Sequence, residues 1–363
     1  MRVRVASCPF PFRGSFEHAS AVRERAENVI AIAEDDTGLA GLGEGCPRDY
    51  VTCETVASAM AAIARWRAAG IEGLSDLADL LVWMAHHRSD IDANPSAFCA
   101  IELALIDLFA RRQGETLETF MRIPQPGSDL FTSAVYAAGS RRKFLIQVAL
   151  FNLNGMRDAK LKIGSDHSED EWRVRLLARL GRVRLDANNV WTSSDAACSA
   201  LASLRNLAWA MEEPLQPRDW QGLAAVGSST GLAIILDESV TRLEDLAAVQ
   251  AGPRYVLNAR VSKHGGLLRT LGIIKEARAR NMKIIVGSQV GETSILARAG
   301  ILAAAAAGAD LIGFEGAFGT RLLMRDATTT SIGFGYRGRV ALASILGAGS
   351  GLAPTTEVNG ACR

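Results

Sequence analysis

Residues 208–239 read AWAMEEPLQPRDWQGLAAVGSSTGLAIILDES, an apolar run, an amphipathic segment and a second apolar run that again ends in acids. Short apolar runs bounded by turn residues are typical of buried parallel strands, and the same strand–helix unit recurs along most of the chain. Eight runs begin these units: FTSAVYAA, AKLKIG, RVRLDAN, AWAMEEP, AIILDES, YVLNAR, KIIVGSQ and LIGFEG. The pattern predicts an α/β fold, a (β/α) barrel of the TIM type, whose strand C-termini meet at one mouth.

The first third of the chain has a different pattern. Residues 1–55 alternate as strand, turn and strand, and Gly41, Gly43 and Gly45 indicate turns or close backbone approaches. The next segment, up to residue 114, shows helical periodicity, most clearly in CAIELALIDLFARRQG. The stretch MRIPQPGSD that follows is typical of a linker. We therefore expect an α+β domain over residues 1–127 and a barrel over residues 128–335.

The composition excludes several classes of function. The 363 residues carry 40 Lys+Arg against 39 Asp+Glu, a net charge of +1, so bulk electrostatic binding to nucleic acid is not expected. No apolar run approaches the ~18–20 residues of a membrane span. The N-terminus lacks the apolar core of a signal peptide. The six cysteines form no C-x-x-C pair, which favours reduced thiols and a cytoplasmic location.

Acidic residues stand at the ends of three successive predicted strands. Asp186, Glu212 and Asp237 lie about 25 residues apart, one strand–helix unit each, so they are expected at one barrel mouth. Three facing carboxylates repel one another unless a cation joins them. Because these ligands are all oxygens, with no Cys or His among them, the pattern predicts a Mg²⁺ site.

Cations flank the three acids. Lys160 and Lys162 are two residues apart on the preceding strand, so both point to the same side, and Arg260 ends the strand after the acids. A lysine beside a divalent ion and another cation has its pKa lowered toward that of a general base. With the ion at a substrate carboxylate, this arrangement predicts abstraction of the α-proton from a small carboxylate through an enediolate.

Together these motifs resemble the enolase superfamily, in the subgroup similar to muconate-lactonizing enzyme. The resemblance covers nearly the whole chain and rests on AKLKIG, RLDANN, MEEP, LDES, SKHGG and the helix pattern A-x-E-x-A-x-x-D. It implies that Lys162 is the base, assisted electrostatically by Lys160, and that the three acids hold Mg²⁺, with Mn²⁺ a possible substitute. It also implies a capping domain completed by residues 336–363, and we expect a homo-oligomer.

Arg260 is the main departure from the family pattern, which has a second lysine there. Arginine keeps its charge in proteins and is a poor general base, so two-base racemisation is disfavoured. We therefore expect one-base chemistry, a lyase or cycloisomerase similar to muconate cycloisomerase or o-succinylbenzoate synthase. Arg260 would stabilise the intermediate or hold a second carboxylate. One alternative is an epimerase or racemase of N-acyl amino acids or dipeptides with Lys263 as second base. Another is a non-catalytic ligand-binding member.

Further residues near the strand ends are candidates for contacting the substrate or orienting groups around the metal: Asn188, Glu238, Gln289, Glu292 and Glu315. Dipeptide epimerases of the subgroup carry D-x-D at strand eight, whereas GFEGAFG has one acid, which weakens the case for a dipeptide. Mandelate-racemase relatives have a histidine where Gln289 stands, so that subgroup is disfavoured. The segment containing Phe12, Phe16 and His18 is expected to form a mobile loop over the site.

Overall fold

The computed structural model describes residues 1–363 apart from 19–20, 128, 138, 165, 250–253, 343–344, 346 and 363, and for residues 15–18 and 21–23 only the backbone. Its N-terminal part is a three-stranded antiparallel sheet in the order β1–β2–β3. The strands are β1 Arg2–His18, β2 Ala21–Glu34 and β3 Ala40–Gly45. The helices that follow are α1 Asp49–Thr52, α2 Val56–Ala68, α3 Leu77–His86, α4 Arg88–Ala93, α5 Pro95–Arg112 and α6 Leu117–Met121.

The rest of the described chain is built on an eight-stranded parallel sheet in the order β11 to β4. Its strands are β4 Ala134–Tyr136, β5 Asp158–Lys162, β6 Arg182–Asp186, β7 Ala210–Glu212, β8 Ala233–Leu236, β9 Tyr255–Ala259, β10 Lys283–Val286 and β11 Leu311–Phe314. The helices are α7 Arg141–Leu153, α8 His167–Ala178, α9 Ser194–Leu201, α10 Trp220–Thr230, α11 Val261–His264, α12 Leu267–Ala279, α13 Ser294–Ala307, α14 Gly319–Leu322 and α15 Thr356–Ala361.

The sheet curls into the predicted barrel. Its edge strands approach one another, and the amide of Ser133, just before β4, donates to the carbonyl of Phe314 at the end of β11 (2.8 Å). One predicted unit differs, because β8 is followed by the 3₁₀ helix Leu243–Ala248 in place of an α-helix. No helix in the described ranges combines the length and apolarity needed to cross a bilayer.

The backbone of β3 packs directly on helix α5. Its three glycines alternate along the strand and face small residues one helical turn apart, which brings the two backbones together. A Cβ atom added at Gly41, Gly43 or Gly45 would lie 2.3, 1.8 or 1.9 Å from the carbonyl oxygens of Ala104, Ala100 and Ser96 respectively. Of the two interpretations that the sequence left open, turns and close backbone approaches, the second therefore explains these glycines.

Carboxylates of the N-terminal part cap helices of the barrel. Glu102 on α5 accepts from the amides of Leu267 (3.0 Å) and Leu268 (2.6 Å) at the start of α12. Glu44 on β3 accepts from the amide (3.0–3.2 Å) and the hydroxyl (2.7 Å) of Thr293, which precedes α13. These amides have no partner within their own helix, so each cap satisfies a group that burial would otherwise leave unpaired.

The last part of the chain returns to the N-terminal part. Asp107 accepts from the amide of Ser350 (2.6 Å), and Arg111 donates to the carbonyl of Leu352 (2.6 Å). Arg4 on β1 donates to the carbonyl of Asn359 (3.1 Å) on α15. The contacts lie within the segment expected to complete the capping domain, while the domain limits at residues 127 and 335 stay predictions.

We expect Gly43→Ala to lower the free energy of unfolding by about 1–3 kcal/mol, because the added methyl forces β3 away from α5. Gly73→Ala is the matched control, since a Cβ atom there meets nothing within 4 Å. Chemical denaturation of the two variants and the parent chain measures the difference. Equal stability of the two variants would refute the close packing of β3 on α5.

Candidate active site

The C-terminal ends of neighbouring strands bring the predicted site residues together. In the parallel ladders Lys162 of β5 is paired with Asp186 of β6, and Asp186 with Glu212 of β7. Asp237 directly follows β8, and Arg260 directly follows β9. The regular spacing in the sequence therefore corresponds to one rim of the barrel, where side chains at strand ends converge.

Lys160 lies among the acids and is almost fully buried. Its Nζ donates to Glu212 Oε1 (2.8 Å) and lies 3.2 Å from Asp186 Oδ2 and 3.5 Å from Glu315 Oε2. Burial alone would lower the pKa of Lys160, but the three carboxylates outweigh it and raise that pKa. Lys160 therefore stays charged and fits an electrostatic role better than that of a base.

Lys162 is more accessible than Lys160. Its Nζ donates to Asn188 Oδ1 (2.7 Å) and lies 4.0 Å from Asp186 Oδ2. The side chain of Lys162 is 24% exposed, against 4% for Lys160. Lys162 thus lies at the wall of the cavity with its ammonium positioned by an amide oxygen.

Asp237 is held between two cations. The guanidinium of Arg260 donates to Asp237 Oδ2 and lies 3.6 Å from Glu212 Oε1. The Nζ of Lys263 donates to the carbonyl (2.6 Å) and Oδ1 (2.8 Å) of Asp237 and to the carbonyl of Asn258 (2.9 Å). Burial would raise the pKa of Asp237, but Arg260 and Lys263 outweigh it and hold that pKa below its usual range.

Lys263 does not face the cavity, which corrects its expected role as a substitute base. The residue belongs to helix α11, is 0% exposed and points behind Asp237, with its three donor bonds directed at acceptors there. The sequence analysis expects Lys263 to lean into the site as a substitute base, but its hydrogen bonds to Asp237 and Asn258 hold it on the other side of Asp237. Its contacts support Asp237 and leave it unable to reach a substrate.

The carboxylates fit a divalent ion. Asp186, Glu212 and Asp237 offer oxygen ligands alone, the donor type that suits Mg²⁺. Among the described residues, however, no three such side chains lie close enough together to hold a metal ion, because Lys160, Arg260 and Lys263 pair with these carboxylates. Glu212 Oε2 is buried and lacks a hydrogen-bond partner in the described chain, so this ligand atom is open to a cation. Burial, the proximity of Asp186 and Glu315, and then Asp237 raise the pKa of Glu212 to about 8 although Lys160 opposes the shift. An ion at these oxygens would remove that repulsion.

A line of side chains with alternating charge runs through the barrel, all of them buried except the half-buried Asp158 at one end, and we call it the buried charge chain. Arg184 in β6, 0% exposed, donates to Asp158 Oδ2 (2.5 Å) on one side and to Glu315 Oε1 (2.8 Å) on the other. The full chain is Asp158, Arg184, Glu315, Lys160, Glu212, Arg260, Asp237 and Lys263. Arg184 was not among the predicted site residues, although a charged residue in the interior of RVRLD was a signal for it.

The remaining candidates line a cavity of about 630 Å³ together with Lys160, Lys162 and Arg260. Gln289 Oε1 accepts from Arg260 (3.4 Å), and Glu292 Oε1 accepts from the amide of Gln289 (2.6 Å). Glu238 lines the same cavity, and burial together with Asp237 raises its pKa to about 8.

Several of the residues predicted in the N-terminal loop and at the strand ends line the same cavity. It contains Phe12, Asn188, Glu238, Gln289, Glu292 and Glu315. The side chains of Phe16 and His18 lie outside the described residues. The expectation of a mobile loop therefore rests on the sequence alone.

Comparison with known proteins identifies the family. A family model described as "Enolase C-terminal domain-like" matches residues 145–353, more than half of the chain. A hydrophobic dipeptide epimerase of Enterococcus faecalis is 27% identical over 317 residues, covering 84% of this chain and 85% of the relative. An N-succinyl-L-Arg/Lys racemase of Bacillus cereus is 24% identical over 307 residues, covering 80% and 79%.

A solved structure shares the whole fold. The dipeptide epimerase of Cytophaga hutchinsonii, complexed with Mg and D-Ala-L-Val, superposes with a TM-score of 0.88 at 22% identity, covering 99% of this chain and 97% of that one. The predicted barrel with its capping domain is thereby confirmed as the fold.

We expect Mg²⁺ affinity to rise with pH up to about pH 8, where the buried Glu212 loses its proton. Below that pH the gain should approach about tenfold per pH unit, because binding must release this proton. Calorimetric titration at pH 6, 7 and 8.5 measures it, with Glu212→Gln as a variant that loses both affinity and pH dependence. Affinity that is flat across this range would contradict the role of Glu212.

We expect Arg184→Met to lower the free energy of unfolding by about 3–5 kcal/mol, because Glu315 and Asp158 lose a buried partner. Arg182→Met is the matched control, since Arg182 pairs with the same Asp158 but is 46% exposed, and should cost less than about 1 kcal/mol. Denaturation curves of both variants give the comparison. Similar losses of unfolding free energy in the two variants would show that the buried ion pairs of Arg184 stabilise the fold no more than the exposed pair of Arg182.

Proposed function

Because the chain belongs to the enolase C-terminal domain-like family and is an isomerase or lyase of the enolase superfamily, we propose that it epimerises or racemises a dipeptide or an N-acyl amino acid. Mg²⁺-dependent removal of the proton α to a carboxylate is the chemistry common to the family. The relatives support this alternative over the cycloisomerase or lyase that the sequence analysis placed first, since their names describe dipeptide epimerases and an N-succinyl amino acid racemase.

The accessible ammonium of Lys162 is the observation that carries the proposal. Lys162 lines the cavity, is held by Asn188 Oδ1 (2.7 Å), and adjoins the ladder partner Asp186. A base must reach the proton that it removes, and Lys162 meets that condition whereas Lys263 does not. In the proposal the neutral form of Lys162 takes the α-proton on its own side of the substrate, and inversion is completed when a proton returns to the opposite face from the Arg260 side of the cavity.

Asp186, Glu212 and Asp237 would hold Mg²⁺. The bound ion would neutralise the charge that develops on the substrate carboxylate as the proton leaves. The buried Lys160 contributes a second fixed positive charge. Asn258 donates to Glu212 Oε1 (2.8 Å) and keeps this carboxylate in place. Mn²⁺ as a substitute, a homo-oligomer and a cytoplasmic location stay predictions.

Arg260 favours a second candidate, a one-base reaction. The guanidinium lies where a two-base enzyme of the family has lysine. Among the described residues that line the cavity, no lysine belongs to β9 or to the helix that follows it. Arginine stays protonated, so it stabilises the intermediate more readily than it removes a proton. Elimination or cycloisomerisation from the Lys162 side would then be the outcome. A binding protein without turnover finds no support among the relatives.

We expect the enzyme with Mg²⁺ to exchange the α-proton of N-acyl amino acids or dipeptides in D₂O, and Lys162→Ala to slow this exchange by about 10²–10⁴-fold. Lys283→Ala is the control, because this exposed lysine pairs with Asp310 far from the site. Proton NMR follows both epimers of each substrate. Exchange of both supports the epimerase, and exchange of one supports the one-base candidate. Full activity of Lys162→Ala would refute the assigned base.

We expect Arg260→Lys to speed exchange on the face opposite Lys162 by about tenfold or more, because lysine titrates near the pH of catalysis when a divalent ion is close. Arg260→Gln should not produce this gain. The two rates are measured separately from the two epimers of one substrate. An Arg260→Lys variant with the parent ratio of rates would show that residue 260 does not face the reacting carbon.

A further inference from the structure

The buried part of the cavity lining contains charged residues of both signs, whereas its exposed part has charges of one sign only. The exposed charged residues of its described lining are all cations, namely Arg13 on β1, Lys143 on α7 and Arg321 on α14. The carboxylates that line the cavity are buried or half-buried, and they are Asp186, Glu238, Glu292 and Glu315. The mouth is therefore positive where a substrate enters.

Arg321 is held in position at this mouth. Its guanidinium lies 4.5 Å from the centroid of the Phe334 ring, and Nη2 donates to the carbonyl of Phe334 (3.3 Å). Phe318 packs on Phe334 (4.8 Å between centroids) and also lines the cavity. An aromatic face and one carbonyl fix the arginine without neutralising it, and in the described chain no carboxylate forms an ion pair with it.

The inner carboxylates are already engaged. Glu315 accepts from Arg184 (2.8 Å) and lies 3.5 Å from Lys160, while Glu292 accepts from the amide of Gln289 (2.6 Å). Asp186 belongs to the proposed metal ligands, and Glu238 faces the positive charge of Arg260. A substrate ammonium would thus enter a positive mouth without a carboxylate that is ready to pair with it.

We propose, on the basis of the proposed function, that the substrate carries a second anionic group, a carboxylate at the end of its N-acyl chain, which Arg321 binds at the cavity mouth. Lys143 and Arg13 line the same cavity and add to its positive charge. One carboxylate then lies at the metal ligands and the other at the mouth. The nitrogen between them is acylated and neutral, so it needs no acidic partner. The site accordingly selects dicarboxylates of the N-succinyl amino acid class over dipeptides with a free ammonium group.

The test compares N-succinyl-leucine, N-acetyl-leucine and glycyl-leucine, which present the same reacting carbon with an anionic, a neutral and a cationic end. We expect kcat/KM for α-proton exchange to be about tenfold or more higher for the succinyl than for the acetyl compound, and lowest for the dipeptide, because a hydrogen bond between two charged groups strengthens binding by about this factor. Arg321→Met should remove most of this preference by raising KM for the succinyl compound while kcat stays near the parent value.

Arg325→Met is the matched control, because this exposed arginine on the same segment pairs with Glu357 and is not part of the cavity lining. Lys143→Met should reduce the preference in the same direction as Arg321→Met. A parent ratio near one, or equal losses for the succinyl and acetyl compounds in Arg321→Met, would overturn the inference.

Binding separates the failure of this inference from the failure of the proposed function. The dissociation constants of the three compounds are measured by calorimetry with Mg²⁺ present. If none of them exchanges its α-proton but the succinyl compound binds most tightly and loses that advantage in Arg321→Met, the anion site stands and the proposed reaction fails. If all three bind equally, the anion site fails whatever the reaction.

Discussion

Alternating positive and negative side chains, packed one against the next inside the barrel, are the constraint on which the candidate site depends. Taking a single ion out of water costs several kcal/mol even after the protein relaxes, so each member of the buried charge chain must have a neighbour of opposite sign. The distances between most neighbours, 2.5 to 3.6 Å, meet that condition. This pairing of charges is compatible with only one register between the strands that carry these residues. That register places Lys162 opposite Asp186 at the rim of the barrel.

The sequence predicted the elements whose signal is local. The apolar runs of the eight barrel strands and the helical period of α5 can be recognised within a single window, and the acids at the strand ends follow from the length of one strand–helix unit. Asp186, Glu212 and Asp237 could therefore be placed at one rim before any contact was known. The glycines of β3 were also recognised as close approaches, although nothing in their spacing named α5 as the partner.

The features that could not be predicted depend on partners far apart in the chain. Arg184 interrupts an apolar strand, and its role becomes clear only when Asp158 and Glu315 lie on either side of it. Lys263 could be placed in the sequence but not oriented, because its direction depends on the acceptors of Asp237 and Asn258 to which it donates. The same holds for the helix caps formed by Glu44 and Glu102, whose partners are more than 160 residues away.

These shared caps have a consequence for how the chain is made. The strands β1–β3 and helix α5 leave the ribosome first, yet Glu102 finds its amides only after α12 has been synthesised, and Asp107 finds Ser350 later still. In an incomplete chain that ends inside the barrel, these carboxylates therefore lack the amides to which they bind in the complete fold. The N-terminal part therefore gains these buried hydrogen bonds only when translation is nearly finished.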